Sequence, residues 1–252
     1  MFLGINIGNS FTSIGLFKAK TPEIYKYVKI ANNNLLDIKS QLEVVPLPNE
    51  KVEAVMIASV VPQKNETFAR IIEVVYGIVP QFIDSRLLNG AYPELGADRV
   101  ANLIGGQKLF GLPICVIDFG TATTIDVLVK NQKAKSKNQK VNVEYGGGII
   151  LPGVSSGLKS LHQNTALLPE VEFSAEIIQV LGKSTHECIQ AGAYWGEKYR
   201  IQGLITKIKE TINPIFVCTG GMGEQFAKVL SLKYEPLLTL YGLYFIWHDL
   251  NF

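Results

Sequence analysis

The sequence predicts an α/β fold built from two related halves. Three observations carry this. Strand and helix signals alternate along the chain, as they do where sheets are covered by helices. The stretch "INIGNSFTSI" from Ile5 returns as "IDFGTATTID" from Ile117, close to half a chain away. A third glycine turn, "TGGMG" from Thr219, follows a further apolar run. Self-similarity at such an interval marks a duplicated architecture. The chain has 252 residues, enough for one large domain or two small ones, and its 47% hydrophobic and 18% charged content is that of a globular protein.

The elements follow in order. Residues 2–7 are a short apolar run closed by Gly8, and residues 13–17 are a second. They read as two strands joined by a Gly-Asn-Ser turn. "VEAVMIASVV" from Val52 is a buried strand, and Pro62 opens a helical pattern that Gly77 stops. "PQFID" is a short strand. "ADRVANLIGGQKLFG" is helical in period, with Val100, Leu103, Ile104 and Leu109 on one face. Gly111 and Pro113 restart the pattern, which divides the chain into an N-terminal domain, 1–108, and a C-terminal domain, 109–252. "PICVIDFGTATTIDVLV" supplies the second strand pair. The lysine-rich run 130–140 lacks interleaved aromatics and reads as a solvated loop between strands, not a nucleic-acid patch. Leu158 to Thr211 reads as mostly helical. "IFVCTGGMGEQFAKVL" is strand, glycine turn and helix, and "PLLTLYGLYFIWHDL" is a final helix.

Composition excludes several function classes. A net charge of +2 sets up no field for nucleic acid or acidic partners. No apolar window is long enough for a membrane span, and no signal peptide is expected. Cys115, Cys188 and Cys218 lie in apolar or helical contexts with no C-x-x-C pair, so they read as buried free thiols of a reducing cytoplasm. His162, His186 and His248 share no metal-ligand spacing.

The two copies of the repeat align position for position: Ile, Asn or Asp, an apolar residue, Gly, Asn or Thr, Ser or Ala, then hydroxyl-rich residues. Gly8 and Gly120 let backbone approach a ligand, and turn N–H groups bind phosphate oxygens. Hydroxyls at Ser10, Thr12, Ser13, Thr121, Thr123 and Thr124 can add hydrogen bonds. An acid just before the turn can hold a hard cation beside the phosphates. Two such turns would clamp a nucleotide from both sides. This is the pattern of the acetate and sugar kinase, Hsp70 and actin superfamily, duplicated domains with a nucleotide between them.

Other glycine motifs fail. "GKST" at 182–185 ends like a P-loop, but Ile177 stands where its first glycine belongs. "GMGEQF" has Phe226 in place of the third glycine of a dinucleotide fingerprint. Phosphoryl transfer also needs a group to orient the acceptor hydroxyl. Asp98, in "YPELGADRVANL", is the candidate, with Arg99 beside it to hold an anion. An acid in a first helical turn is also favoured by the macrodipole alone, and local sequence leaves both readings open.

These pieces together closely resemble the type III pantothenate kinases. The matching segments are "IGNS", "ASVVP", "IDSRL", "YPELGADRVANLIG", "IDFGTATTID", "GGGIILPGV", "TALLP", "GKSTHECIQAGAYWG", "TGGMG" and "LTLYGL", in family order from residue 5 to about 243. The resemblance implies a cytoplasmic homodimer with the duplicated ribonuclease-H-like fold of that superfamily, the nucleotide lying in the cleft between the two domains. It implies transfer of the γ-phosphoryl group of ATP to pantothenate, giving 4′-phosphopantothenate, the first step of coenzyme A biosynthesis. It implies that Asn6, Ile7, Gly8, Asn9, Ser10, Phe11, Thr12 and Ser13 bind ATP, with Thr121 contacting it from the second turn. It implies that Asp118 ligates a monovalent cation, potassium or ammonium, and that Asp98 accepts the proton. Tyr92, Gly96, Ala97, Asp98 and Arg99 would bind pantothenate, and Thr185 would close its pocket. Gly146 to Gly148 would allow close backbone approach near the cleft, although packing alone also explains them.

One position departs from the family. Asn6 stands where most of its members carry an aspartate that helps to hold Mg²⁺. A carboxamide keeps one acceptor oxygen and loses the charge. The expectation is an active kinase with weakened Mg·ATP binding. The alternative is a catalytically impaired, ligand-binding or regulatory relative.

Overall fold

The computed structural model describes residues 1–32, 40, 42, 51–131, 143–176 and 179–251. From residue 132 on, the expected lysine-rich loop lies outside the described residues, as does Ile177. The strands are β1 (Phe2–Ile7), β2 (Phe11–Phe17), β3 (Ile24–Ala31), β4 (Ala54–Ser59), β5 (Gln81–Phe82), β6 (Ile114–Phe119), β7 (Ala122–Lys130), β8 (Val143–Pro152), β9 (Ile215–Thr219) and β10 (Lys233–Tyr234). The α-helices are α1 (Pro62–Tyr76), α2 (Ala97–Phe110), α3 (Val154–Gln163), α4 (Thr185–Lys209), α5 (Gly223–Leu230) and α6 (Leu238–Asn251).

The chain forms two compact units. The first comprises Met1–Gly111, Val129–Tyr145 and Leu237–Phe252; the second comprises Leu112–Leu128 and Gly146–Pro236. The sheets run β3-β2-β1-β4-β5 and β8-β7-β6-β9-β10. Within each, the central strand pairs antiparallel with its hairpin partner (β1 with β2, β6 with β7) and parallel on its other side (β1 with β4, β6 with β9). The repeat in sequence is thus a repeat in topology.

The register refines that repeat. Ile5 faces Ile14 and Ile117 faces Ile125. The pair Ile7–Thr12 closes over residues 8–11, whereas Phe119–Thr123 closes over 120–122. The match holds through Gly8 and Gly120 and then slips by one residue. Thr12 therefore corresponds to Thr123, and Ile14 to Ile125.

Local chemistry explains the elements. β1 is buried on both faces and reads as a continuous apolar run. β3 alternates, with Tyr25, Tyr27, Lys29 and Ala31 exposed, a period of two that marks a half-solvated strand. α1 starts at Pro62 and ends at Gly77, whose φ of 67° lets its N–H reach Glu73 O. Leu3, Ile5, Ile7, Ile57, Phe68 and Ile72 form the core between that helix and the first sheet.

Three sequence readings change. α2 buries Val100 and Leu103 as expected, but Leu109 is 36% exposed; the face it packs runs through Ala97, Ala101 and Gly105. A Cβ on Gly105 would lie 2.6 Å from Leu238 O, and one on Gly242 would lie 1.9 Å from Ala101 O, so α2 and α6 meet backbone to backbone. The run 158–211 is not mostly helical up to residue 184: α3 stops at Gln163, and α4 begins only at Thr185. Cys115 and Cys218 are buried free thiols, but Cys188 is exposed on α4. Burial raises the Cys218 thiol to about 12, and that of Cys115 rises further with Asp126 nearby. Among the described residues no helix is long and apolar enough to cross a membrane.

Candidate active site

In the first unit, the expected residues gather at the carboxyl ends of parallel strands β1 and β4. That is where open α/β sheets place their ligands. Ile7 O accepts from Val60 N at 3.1 Å, and Val60 Cγ1 lies 3.4 Å from where a Cβ on Gly96 would sit. The first glycine turn and the start of α2 are therefore neighbours.

The turn is tight. Gly8 N–H donates to Phe11 O at 3.0 Å, and a Cβ on Gly8 would stand 3.0 Å from that oxygen. Asn9 and Ser10 are exposed at its tip. Phe11 is 48% exposed, with the Lys29 ammonium 4.6 Å from its ring centroid. Ile7 is buried, and Ser13 Oγ lies 3.5 Å from Tyr27 Oη. Thr12 is fully buried, and its hydroxyl donates inward to Asn32 Oδ1 at 2.7 Å. Asn6 pairs across the hairpin with Ser13. Its Oδ1 is buried and finds no hydrogen-bond donor among the described residues.

The second cluster opens α2. Gly96 is the N-cap and Ala97 the first helical residue, buried. A Cβ on Gly96 would come within 2.7 Å of Asp98 Oδ1, so glycine leaves room for the carboxylate. Asp98 Oδ1 accepts from Arg99 N at 2.8 Å. Arg99 is 7% exposed. Its Nη1 donates to Tyr92 Oη at 2.7 Å and its Nη2 to Tyr145 Oη at 3.2 Å. Tyr145 N–H in turn donates to Asn89 O at 2.8 Å. A buried guanidinium held by two phenols is a fixed cation in a low-dielectric setting.

In the second unit, Asp118 sits one residue before the end of β6, opposite Thr219. Gly220, with φ of 87°, lies against it: a Cβ there would be 2.3 Å from Asp118 Oδ1. The "TGGMG" turn thus folds onto the acid, with Met222 N–H donating to Phe119 O. Among the described residues no group of three His, Cys, Asp or Glu could hold a metal ion. Thr121 is exposed, and its carbonyl accepts from Ser156 Oγ at 2.7 Å. Thr123 Oγ1 donates to Glu197 Oε1 at 3.0 Å; Glu197 also pairs with Arg200, whose Nη2 donates to Pro152 O at 2.9 Å. Burial pushes the Glu197 carboxyl up, opposed by Arg200 and Thr123.

Thr185 is the first residue of α4. Ser184 Oγ accepts from Glu187 N, and Glu187 Oε2 from Lys183 N, so "GKSTHE" is a capped helix start. Thr185 lines a cavity of about 620 Å³ between α3 and α4, with Leu158, Leu161, Gly192, Glu197 and Arg200.

Sequence reading missed Asn32, Tyr145 and Glu197, each brought to its cluster across a long stretch of chain. The alternation of "IYKYVKIA" before Asn32 was the one signal available, since it marks the strand that delivers the residue. Tyr145 and Glu197 carry no local signature.

The family model for type III pantothenate kinase matches residues 2–207. A type III pantothenate kinase of Persephonella marina is 34% identical over 262 residues, covering 98% of each chain. One of Methylacidiphilum infernorum is 35% identical over 247 residues, covering 95% of this chain and 85% of its own. Among solved structures, a protein of Campylobacter jejuni described as a Baf family transcriptional activator superposes with a TM-score of 0.59 at 21% identity, covering 99% of this chain and all of its own. A ROK family glucokinase from Streptomyces griseus superposes at 0.52 with 15% identity, covering 97% and 98%. Those two likenesses show the fold alone, a duplicated two-unit α/β architecture. Near-full-length identity to named relatives, together with the family model, places the chain in the type III pantothenate kinase family.

Proposed function

We propose that the protein phosphorylates pantothenate with ATP to give 4′-phosphopantothenate, the entry to coenzyme A biosynthesis. The observation that supports this best is Asp98 beside buried Arg99 at the start of α2, next to the first glycine turn. The turn residues Asn6 to Ser13 would bind the nucleotide. Asp98 would take the proton of the primary hydroxyl as its oxygen bonds to the γ-phosphorus and the bond to ADP breaks. Tyr92 and the backbone of Gly96 to Arg99 would seat pantothenate. In the second unit, Thr121 would contact the nucleotide and Thr185 would close the substrate pocket.

The residues fit oxygen-seeking cations. Asn6 Oδ1 is a buried acceptor awaiting a partner, and Asp118 is a carboxylate folded against a glycine turn. Asn6 would face Mg²⁺, and Asp118 a monovalent cation such as K⁺. When bound, magnesium neutralises phosphate charge. Asn6 supplies no charge to help, which costs about 1–4 kcal/mol by Coulomb estimates at intermediate dielectric. That is roughly one to three decades in Mg·ATP affinity.

A coupled assay with millimolar ATP, Mg²⁺ and K⁺ tests the reading. Pantothenate-dependent ADP is expected. Asp98→Asn is expected to lower kcat by about 10²–10⁴-fold while leaving ATP binding intact. No turnover in either the native chain or Asn6→Asp sinks the proposal. A second reading, ligand binding without turnover, rests on the neutral Asn6; calorimetric binding with no product would favour it. We also infer a homodimer acting in the cytoplasm, supported by exposed Leu161, Leu167 and Leu181 in the second unit and by free thiols. Sedimentation that reports a monomer at micromolar concentration would remove the dimer.

A further inference from the structure

We propose that Asn32 is a positioning residue of the phosphate turn, aiming its backbone N–H groups outward. The inference rests on the reading that this turn binds ATP. Asn32 follows β3 at the far side of the hairpin, yet its side chain reaches the turn three times. Nδ2 donates to Gly8 O and to Asn9 O, the latter at 3.1 Å, while Oδ1 accepts from Thr12 Oγ1 at 2.7 Å. Its backbone N–H donates to Ser10 O at 3.0 Å. Lys64 Nζ donates to Asn32 O at 3.1 Å, fixing the residue to α1.

The direction of these bonds matters. A trans peptide points its C=O and N–H to opposite sides. Holding the carbonyls of Gly8 and Asn9 toward Asn32 therefore turns the N–H groups of Asn9 and Ser10 the other way. Those two residues form the exposed tip, where an anion meets backbone N–H groups. The carboxamide orientation is fixed by chemistry: rotated by half a turn, it would set its oxygen against two carbonyl oxygens.

The second turn carries the same device with other residues. Thr123, the register equivalent of Thr12, is also buried and donates to a partner from elsewhere in its unit, Glu197 Oε1 at 3.0 Å. There a separate side chain, Ser156, donates to a turn carbonyl, Thr121 O. In the first turn Asn32 does both jobs. Two turns built alike, each held from behind at threonine and carbonyl, point to a common requirement for a fixed backbone.

Asn32→Asp is the sharpest test, since it keeps the shape and the Thr12 acceptor but loses both donors. It should be compared with Asn32→Ala and the native chain by ATP calorimetry, separate KM values, thermal melts and amide exchange. Both variants are expected to bind ATP about tenfold or more weaker and to raise the ATP KM to match. The pantothenate KM should stay within about twofold. Exchange at residues 9–12 should quicken in the ATP-free protein. Native ATP affinity in both variants overturns the inference, as does an equal loss for both substrates alongside a lowered Tm. A native chain that binds ATP in an Asn32-dependent way but makes no product overturns the proposed function and upholds the positioning role. A native chain that binds no ATP overturns both.

Discussion

At Asn6, one residue before the end of a buried strand, a neutral amide sits beside the first glycine turn, and its Oδ1 meets no donor among the described residues. An unmade hydrogen bond of that kind costs about 1–3 kcal/mol, and more for a charge. Two consequences follow for Asn6→Asp. Without ligand the carboxylate would be buried where Asn6 Oδ1 meets no donor among the described residues, so the variant should melt lower, by about 2–4 °C per kcal/mol for a chain of this size. With Mg·ATP the charge gains a partner, so the ligand-induced rise in Tm should exceed that of the native protein and the ATP KM should fall about 10- to 1000-fold. Thermal melts with and without Mg·ATP check both signs together. An unchanged ligand-free Tm with an unchanged KM would show that position 6 faces neither burial nor metal. Arg99 offers a second test. Its two phenol partners need a fork of donors, which lysine lacks, so Arg99→Lys should raise the pantothenate KM more than the ATP KM.

Among the elements, the meeting of α2 with α6 is the least tolerant. Gly242 sits where a Cβ would lie 1.9 Å from Ala101 O, so no side-chain rotation relieves the clash. Gly242→Ala is expected to destabilise by about 1–3 kcal/mol or more, read as a lower urea midpoint. Because the first turn of α2 carries Asp98 and Arg99, a shift of that helix should also lower kcat/KM. The contact of α4 with the second turn is polar instead. Glu197 is raised by burial, so the folded state holds its proton more tightly than the unfolded one. Its contribution to stability is full below about pH 4 and declines as pH climbs through the raised value. Measured against Glu197→Gln, which cannot ionise, the native protein should lose relative Tm as pH rises from about 4 through the raised value. A flat or rising difference in paired melts contradicts this.

For the whole molecule, the C-terminal helix decides how the first unit closes. α6 returns to the sheet that opens the chain, where Phe2 stacks on Trp247 at 4.8 Å and Phe17 on Tyr244 at 5.1 Å. Leu238, Leu240, Leu243 and Ile246 are buried with them. Each such side chain stabilises by about 1.5–3 kcal/mol. Their sum rivals the roughly 5–15 kcal/mol that holds a domain together. A chain truncated after Pro236 should therefore lose protection from amide exchange in β1, β2 and β4 while β6, β7 and β9 keep theirs. Equal protection in both units would refute this.

The sequence by itself determined much of this protein. Glycines at 8, 111 and 220, Pro62 and the apolar runs of β1, β4, β6 and β9 are local signals, and each names its element without help from the rest of the chain. The repeat of Ile5–Gly8 in Ile117–Gly120 declared the duplication, because two turns under the same backbone constraint keep the same residues. The segments around Asp98, Asp118 and Thr185 named the family. Tertiary structure decided the remainder. It slipped the repeat by one residue after the glycine, since hairpin register is set by which strand positions face each other. It sent α6 back to the first sheet, turned Cys188 outward, and brought Asn32, Tyr145 and Glu197 to turns and helices far from them in the chain. Those placements come from packing and hydrogen bonds between distant segments, and a linear pattern carries no record of a partner that lies far away in sequence.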